Sequence, residues 1–252
     1  NWRKNIPAIA ENCRVYAIDL IGFGASAKPK PVEEIAYTFE TWGQQIADFC
    51  REVVGESAFL VGNSIGCIVA MQAAVDNPDI VLSVALLNCS LRLLHERKQA
   101  ELPYYRRMGA PLLQRILSIQ SVGKLFFNLI AKPKTVRSIL LQAYPTGEAV
   151  TDELIDILMT PASDPGAAAV FLAFTAYSQG PLAEDLLPML QCPAIILWGT
   201  ADPWEPIELG RELAEFSQVM KFIPLEGIGH CPQDEAPELV NPILQDWIAE
   251  FS

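Results

Sequence analysis

The chain predicts an α/β architecture, a mostly parallel and doubly wound sheet with a helical cap inserted into it. Three observations carry that reading: short β-branched runs alternate with longer helical patterns, the runs are apolar throughout, and the rhythm stops once and resumes. Strands are expected at Val15 to Asp19, Ala58 to Gly62, Val81 to Asn88, Ala194 to Trp198 and Val219 to Pro224, each apolar enough to be buried on both faces. Helices are expected at Thr41 to Val54, Ile65 to Asp76, Ile207 to Phe216 and Pro237 to Phe251. Between Ser90 and Pro188 the strand rhythm gives way to helix-like, Pro-punctuated sequence, so residues 1–90 and 189–252 form the expected core and 91–188 the cap.

At 252 residues and 51% hydrophobic content, the chain can bury a substantial core. Its net charge of −12 leaves no basic stripe for phosphate backbones, so nucleic acid is not expected as a partner. Cys13, Cys50, Cys67, Cys89, Cys192 and Cys231 form no CxxC pair and sit largely in apolar runs, where reduced thiols pack as small hydrophobes. No cofactor or metal is expected. No apolar run reaches membrane-spanning length and the first residues lack the core of a signal peptide, so the sequence reads as soluble.

The run Ala58-Phe59-Leu60-Val61-Gly62-Asn63-Ser64-Ile65-Gly66 leads a buried strand into Gly-x-Ser-x-Gly and then a helix of small and apolar residues. That setting makes the motif a nucleophile elbow of the α/β-hydrolase type, with Ser64 pushed out at the end of the strand. The sharp turn calls for small neighbours, Gly62 and Gly66, around Asn63 and Ser64. The N–H of Ile65 at the helix start is the expected first oxyanion donor.

A serine hydroxyl needs a base. Of the two histidines, His95 lies in the charged segment LRLLHERKQAE and reads as a solvated helix position, whereas His230 lies in the glycine-bearing loop LEGIGHCPQDEAP after the last strand. His230 is the expected general base. The acid precedes the histidine in this fold, and Asp202, after the run ending at Trp198, fits that order. Glu205 competes with it; the alternative position after LLNCS offers only Asn88 and Ser90. Asp234 and Glu235 follow the histidine and read as capping or surface charges. With serine rather than a carboxylate at the nucleophile position, acyl transfer to water is expected, not epoxide or haloalkane chemistry.

The segments WRKNIP, VYAIDLIGFGASAKP, VGNSIG, DPWEPIELGR and GIGHCPQDEAPELVNP resemble the pheophytinase and chlorophyll dephytylase branch of the α/β-hydrolase superfamily. The likeness spans nearly the whole core and is weak across the cap. It implies a hydrophobic ester substrate, a chlorophyll-type acid joined to phytol, and a cyanobacterial cytoplasmic, thylakoid-associated or plastid location. A general carboxylesterase or thioesterase is a second enzymatic reading, and a non-catalytic small-molecule receptor on the same fold is the reading from a different class.

Tyr104, Tyr105, Met108, Phe126, Phe127, Phe171, Phe174 and Tyr177 suit either a greasy substrate pocket or ordinary packing of the cap, and the run Ile116 to Ala131 either burial or a peripheral membrane contact. Cys67, where the superfamily commonly has glycine, reads as packing. By the resemblance, WRKNIPAIA falls at the first helix. The strands before it and the loop that supplies the second oxyanion donor are then absent from this chain, and a gap is expected between Val15 and Ala58. Oligomeric state is not expressed in the sequence.

Overall fold

The computed structural model describes residues 2–100 and 120–252. Tyr104, Tyr105 and Met108 lie outside the described residues, as does the first part of the run from Ile116.

Four strands, β1 (Ala58–Asn63), β2 (Val81–Leu87), β3 (Ala194–Gly199) and β4 (Val219–Leu225), form a sheet in the order β1-β2-β3-β4. Every pairing is parallel, aligning Gly62 with Leu86, Leu86 with Ile196 and Ile196 with Phe222. Helices flank the sheet: α1 (Ile6–Ile9), α2 (Phe39–Phe49), α3 (Ile65–Asp76) and, at the carboxyl end, α12 (Pro237–Phe251). The strand period of two sorts the side chains onto two faces. Leu86, Ile196 and Trp198 pack with Trp42, Ile68 and Met71 from α2 and α3. Leu87, Ile195 and Leu197 pack with Ile9, Val240, Leu244 and Trp247 from α1 and α12. Both faces are thus covered, which is why these strands read as continuous apolar runs.

One expected strand is absent. Residues 14–20 are not paired into the sheet and Val15 to Asp19 form no strand, although the apolar pattern is present. Between this segment and β1 lies a cavity of about 740 Å³, lined by Val15, Tyr16, Ile18, Phe59, Val61 and Leu82 among others. A β-branched run becomes a strand only when a neighbour completes its ladder. The gap expected between Val15 and Ala58 is this cavity, and Gln233 and Asn5 beside it have buried amide atoms without protein partners.

Between β2 and β3 the described residues form helices: α4 (Glu96–Ala100), α5 (Gln120–Ile130), α6 (Pro133–Ala143), α7 (Asp152–Ala162), α8 (Ala167–Ala176) and α9 (Ala183–Leu186). Thr151 caps α7 by accepting from the Leu154 N–H, and Pro133 opens α6 where no N–H is needed. Two basic residues tie the start of this insertion to its end. Arg92 donates to the carbonyls of Tyr177, Gln179 and Pro181 while its guanidinium lies over the rings of Phe39 and Tyr177. His95 is buried, not solvated as its charged surroundings suggest. Its Nδ1 accepts from the Arg97 N–H, so Nε2 donates to the Gly180 carbonyl at 2.9 Å. The charged neighbours face outward while the imidazole closes the seam.

After β3 come the short α10 (Ile207–Gly210) and, after β4, α11 (Pro232–Glu235). Because the strands are parallel, Ser64, Asn88, the loop after Gly199 and the loop after Leu225 gather at one edge of the sheet, where this architecture places its ligands.

Candidate active site

Ser64 sits between β1 and α3 with φ 55° and ψ −122°, a backbone conformation that a side-chain-bearing residue rarely adopts. Its N–H donates to the Leu87 carbonyl at 3.0 Å, and its own carbonyl accepts from Cys67 and Ser90. A Cβ on Gly62 would lie 2.4 Å from the Gly66 carbonyl oxygen, so the turn admits only glycine there. Gly66 differs from expectation: nothing lies within 4 Å of where its Cβ would be, so steric crowding does not require glycine at that position. Ile65 opens α3, where its N–H has no intrahelical acceptor. Cys67 is fully buried and its thiol contacts the Gly62 and Leu87 carbonyls, behind the turn, as packing requires.

The loop after β4 carries His230, 6% exposed, to the same edge. Its Nδ1 lies 2.7 Å from Asp202 Oδ2. An ionised carboxylate only accepts, so Nδ1 carries the proton and Nε2 is the free basic nitrogen of the neutral ring. The His230 carbonyl accepts from Asn63 Nδ2 at 2.9 Å, which ties the histidine loop to the residue before Ser64. The same amide donates to the Leu87 carbonyl at 3.1 Å.

Asp202 is held on both oxygens. Oδ2 also accepts from Asn88 Nδ2 at 2.7 Å, and Oδ1 accepts from the N–H groups of Trp204 and Glu205. Burial pushes this carboxyl up, but the hydrogen bond from His230, the Trp204 N–H and the Asn88 amide outweigh it and hold Asp202 below the ordinary carboxylate value. Glu205, the competitor, does not reach the imidazole. Its oxygens accept from the Ser90 hydroxyl and the Leu91 N–H, each at 3.1 Å, and burial pushes its pKa up. Asn88 and Ser90 thus hydrogen-bond the two carboxylates of the next loop.

Asp234 is no surface charge, and the partly exposed Glu235 is engaged in structural contacts. Asp234 is fully buried, bonded by Arg3 at 3.0 Å and Tyr144 at 3.3 Å. Glu235 accepts from the Gly229 N–H at 2.7 Å and from Thr146, bracing the histidine loop against the end of α6. A further link runs from the His230 N–H to the Ala143 carbonyl. Trp204 presents an edge to His230 with centroids 4.9 Å apart, a contact that DPWEP alone did not reveal.

The matching family model, described as alpha/beta hydrolase family, covers residues 1–243. The chain belongs to this family. It is 27% identical over 98% of its length to the chloroplastic pheophytinase of Arabidopsis thaliana, of which it spans 58%. It is 33% identical over 99% of its length to a 2-hydroxymuconate semialdehyde hydrolase of Pseudomonas sp. strain CF600, spanning 81% of that protein. Among solved structures, a thermophilic esterase from Thermogutta terrifontis matches with a TM-score of 0.73 at 21% identity, over 99% of this chain and 85% of that one. At that identity the likeness shows the fold.

Proposed function

We propose that this alpha/beta hydrolase is a serine carboxylic-ester hydrolase, with Ser64 as nucleophile, His230 as general base, Asp202 as its orienting acid and the Ile65 N–H as an oxyanion donor. The observation that carries the reading is the 2.7 Å contact from His230 Nδ1 to a buried Asp202, on a loop bonded to the residue before a strained serine. Ser64 Oγ attacks the ester carbonyl carbon as its proton passes to His230 Nε2, and the tetrahedral oxyanion forms. His230 returns the proton to the leaving alcohol oxygen. Water then attacks the acyl-enzyme by the same route and frees the acid.

For the substrate we propose a long-chain isoprenoid ester of a chlorophyll-type acid, with the helices of 91–188 serving as lid. The pheophytinase relative supports this choice. Of the aromatic residues considered for a pocket, Phe174 packs on Phe23 and Trp42 and Tyr177 on Phe39, so those two serve to seat the lid on the core. The 33% identity to a 2-hydroxymuconate semialdehyde hydrolase favours a second reading, the same three residues acting on a small soluble substrate.

The test incubates the protein and Ser64→Ala with chlorophyll, pheophytin, short acyl esters and 2-hydroxymuconate semialdehyde. Phytol released by the wild type, with turnover about 10⁴-fold lower or worse in the variant, is the expected result. Turnover of only the small substrates moves the assignment to the second reading. Undiminished activity in Ser64→Ala removes the serine mechanism.

A further inference from the structure

Charge is distributed unevenly along the chain. Residues 102–147 hold seven of its 18 basic side chains and none of its 30 acidic ones. Within this stretch α5 turns part of its apolar surface outward. Val122, Leu125 and Leu129 are 36%, 61% and 53% exposed and, three and seven residues on from the first, share one face of the helix. Gly123 and Phe127 occupy the buried side, where Phe127 packs against Phe171.

Exposed Lys124, Lys132 and Lys134 lie along and just beyond this helix, and none forms an ion pair with a described carboxylate. Elsewhere most exposed bases find acids: Arg51 pairs with Asp79, Lys221 with Glu250 and Arg14 with Glu56, whereas Arg211 lies over the Phe222 ring. Self-pairing is therefore the habit of this surface, and α5 departs from it. No single described helix is long and apolar enough to cross a membrane.

We propose that α5, with the lysines that follow it, is a docking surface for an anionic lipid bilayer. The leucine ridge enters the boundary between headgroups and acyl chains, and Lys124, Lys132 and Lys134 meet the lipid phosphates. A soluble polyanion would satisfy the lysines alone and leave the ridge in water. The stretch itself contributes no carboxylate, and Asp164, which lines the same depression as Lys124, is already paired with Lys28. The arrangement does not depend on the chemistry assigned to Ser64.

The experiment is co-sedimentation of the whole chain with vesicles of phosphatidylcholine alone or of phosphatidylcholine with phosphatidylglycerol, at low and high salt. Binding is expected on the anionic vesicles, falling with salt and weak on the neutral ones. Each lysine removed in the series Lys124→Gln, Lys132→Gln and Lys134→Gln should weaken binding about fivefold. The double variant Leu125→Asn with Leu129→Asn, both exposed, should also weaken it while thermal unfolding stays unchanged. Ser64→Ala should bind as the wild type does, so a failure of every ester assay would leave this result standing.

Equal binding to both vesicle types, or anionic binding that survives both sets of substitutions, would overturn the proposal. Capture by heparin as strong as that by vesicles and indifferent to the leucine change would also overturn it, in favour of a polyanion site.

Discussion

Two carboxylates three residues apart, Asp202 and Glu205, are driven in opposite directions by their surroundings. The folded protein favours ionised Asp202, so that group contributes stability above its unfolded pKa near ~3.9 and the contribution is lost as pH falls through the lower folded value. Glu205 has the reverse sign: its ionised form is disfavoured in the fold, so it costs stability as pH rises from about 4.3 through its raised folded value. Glu205→Gln should therefore gain stability relative to the wild type as pH rises through that window, checked by denaturant midpoints across pH. Asp202→Asn should keep the fold but lower turnover by about 10⁴-fold, because the amide no longer fixes Nδ1 as the protonated nitrogen. Glu205→Gln should retain most turnover. A steady-state comparison of the two variants separates acid from neighbour.

At the scale of elements, the turn between β1 and α3 treats its two glycines differently. Gly62→Ala drives a Cβ into the backbone of Gly66 and Cys67, at 2.4 Å and 2.6 Å, and no side-chain rotation relieves it. The expected cost is about 1–3 kcal/mol, with Ser64 displaced and activity lost. Gly66→Ala meets open space inside a helix and should raise stability by up to about 1 kcal/mol. Thermal unfolding with ester turnover distinguishes them. The motif's spelling announced the turn in the sequence, but which glycine is sterically required depends on what approaches it. His95, Asp234 and Glu235 teach the same point: their sequence neighbours are charged, yet each finds partners far along the chain in Gly180, in Arg3 and Tyr144, and in Gly229 and Thr146.

For the molecule as a whole, the helical insertion is held to the core by aromatic packing and by Lys28. Its side chain is 5% exposed and its ammonium donates to the Gly24 and Ser26 carbonyls and to Asp164, just before α8, at 2.8 Å. Lys28→Met should cost about 1–3 kcal/mol by leaving those acceptors unmatched. It should also speed hydrogen exchange across 164–176 more than across β2 and β3; uniform loss of protection would show that core and insertion unfold as one unit. The sequence by itself determined the order of the elements, the four paired strands and the tight turn at Ser64, because apolar period and short turn motifs are local. Tertiary structure decided the rest. It left Val15 to Asp19 unpaired beside a cavity, chose Asp202 over Glu205 for His230 and buried His95, because ladder completion, hydrogen-bond reach and burial depend on neighbours that the chain supplies from a distance.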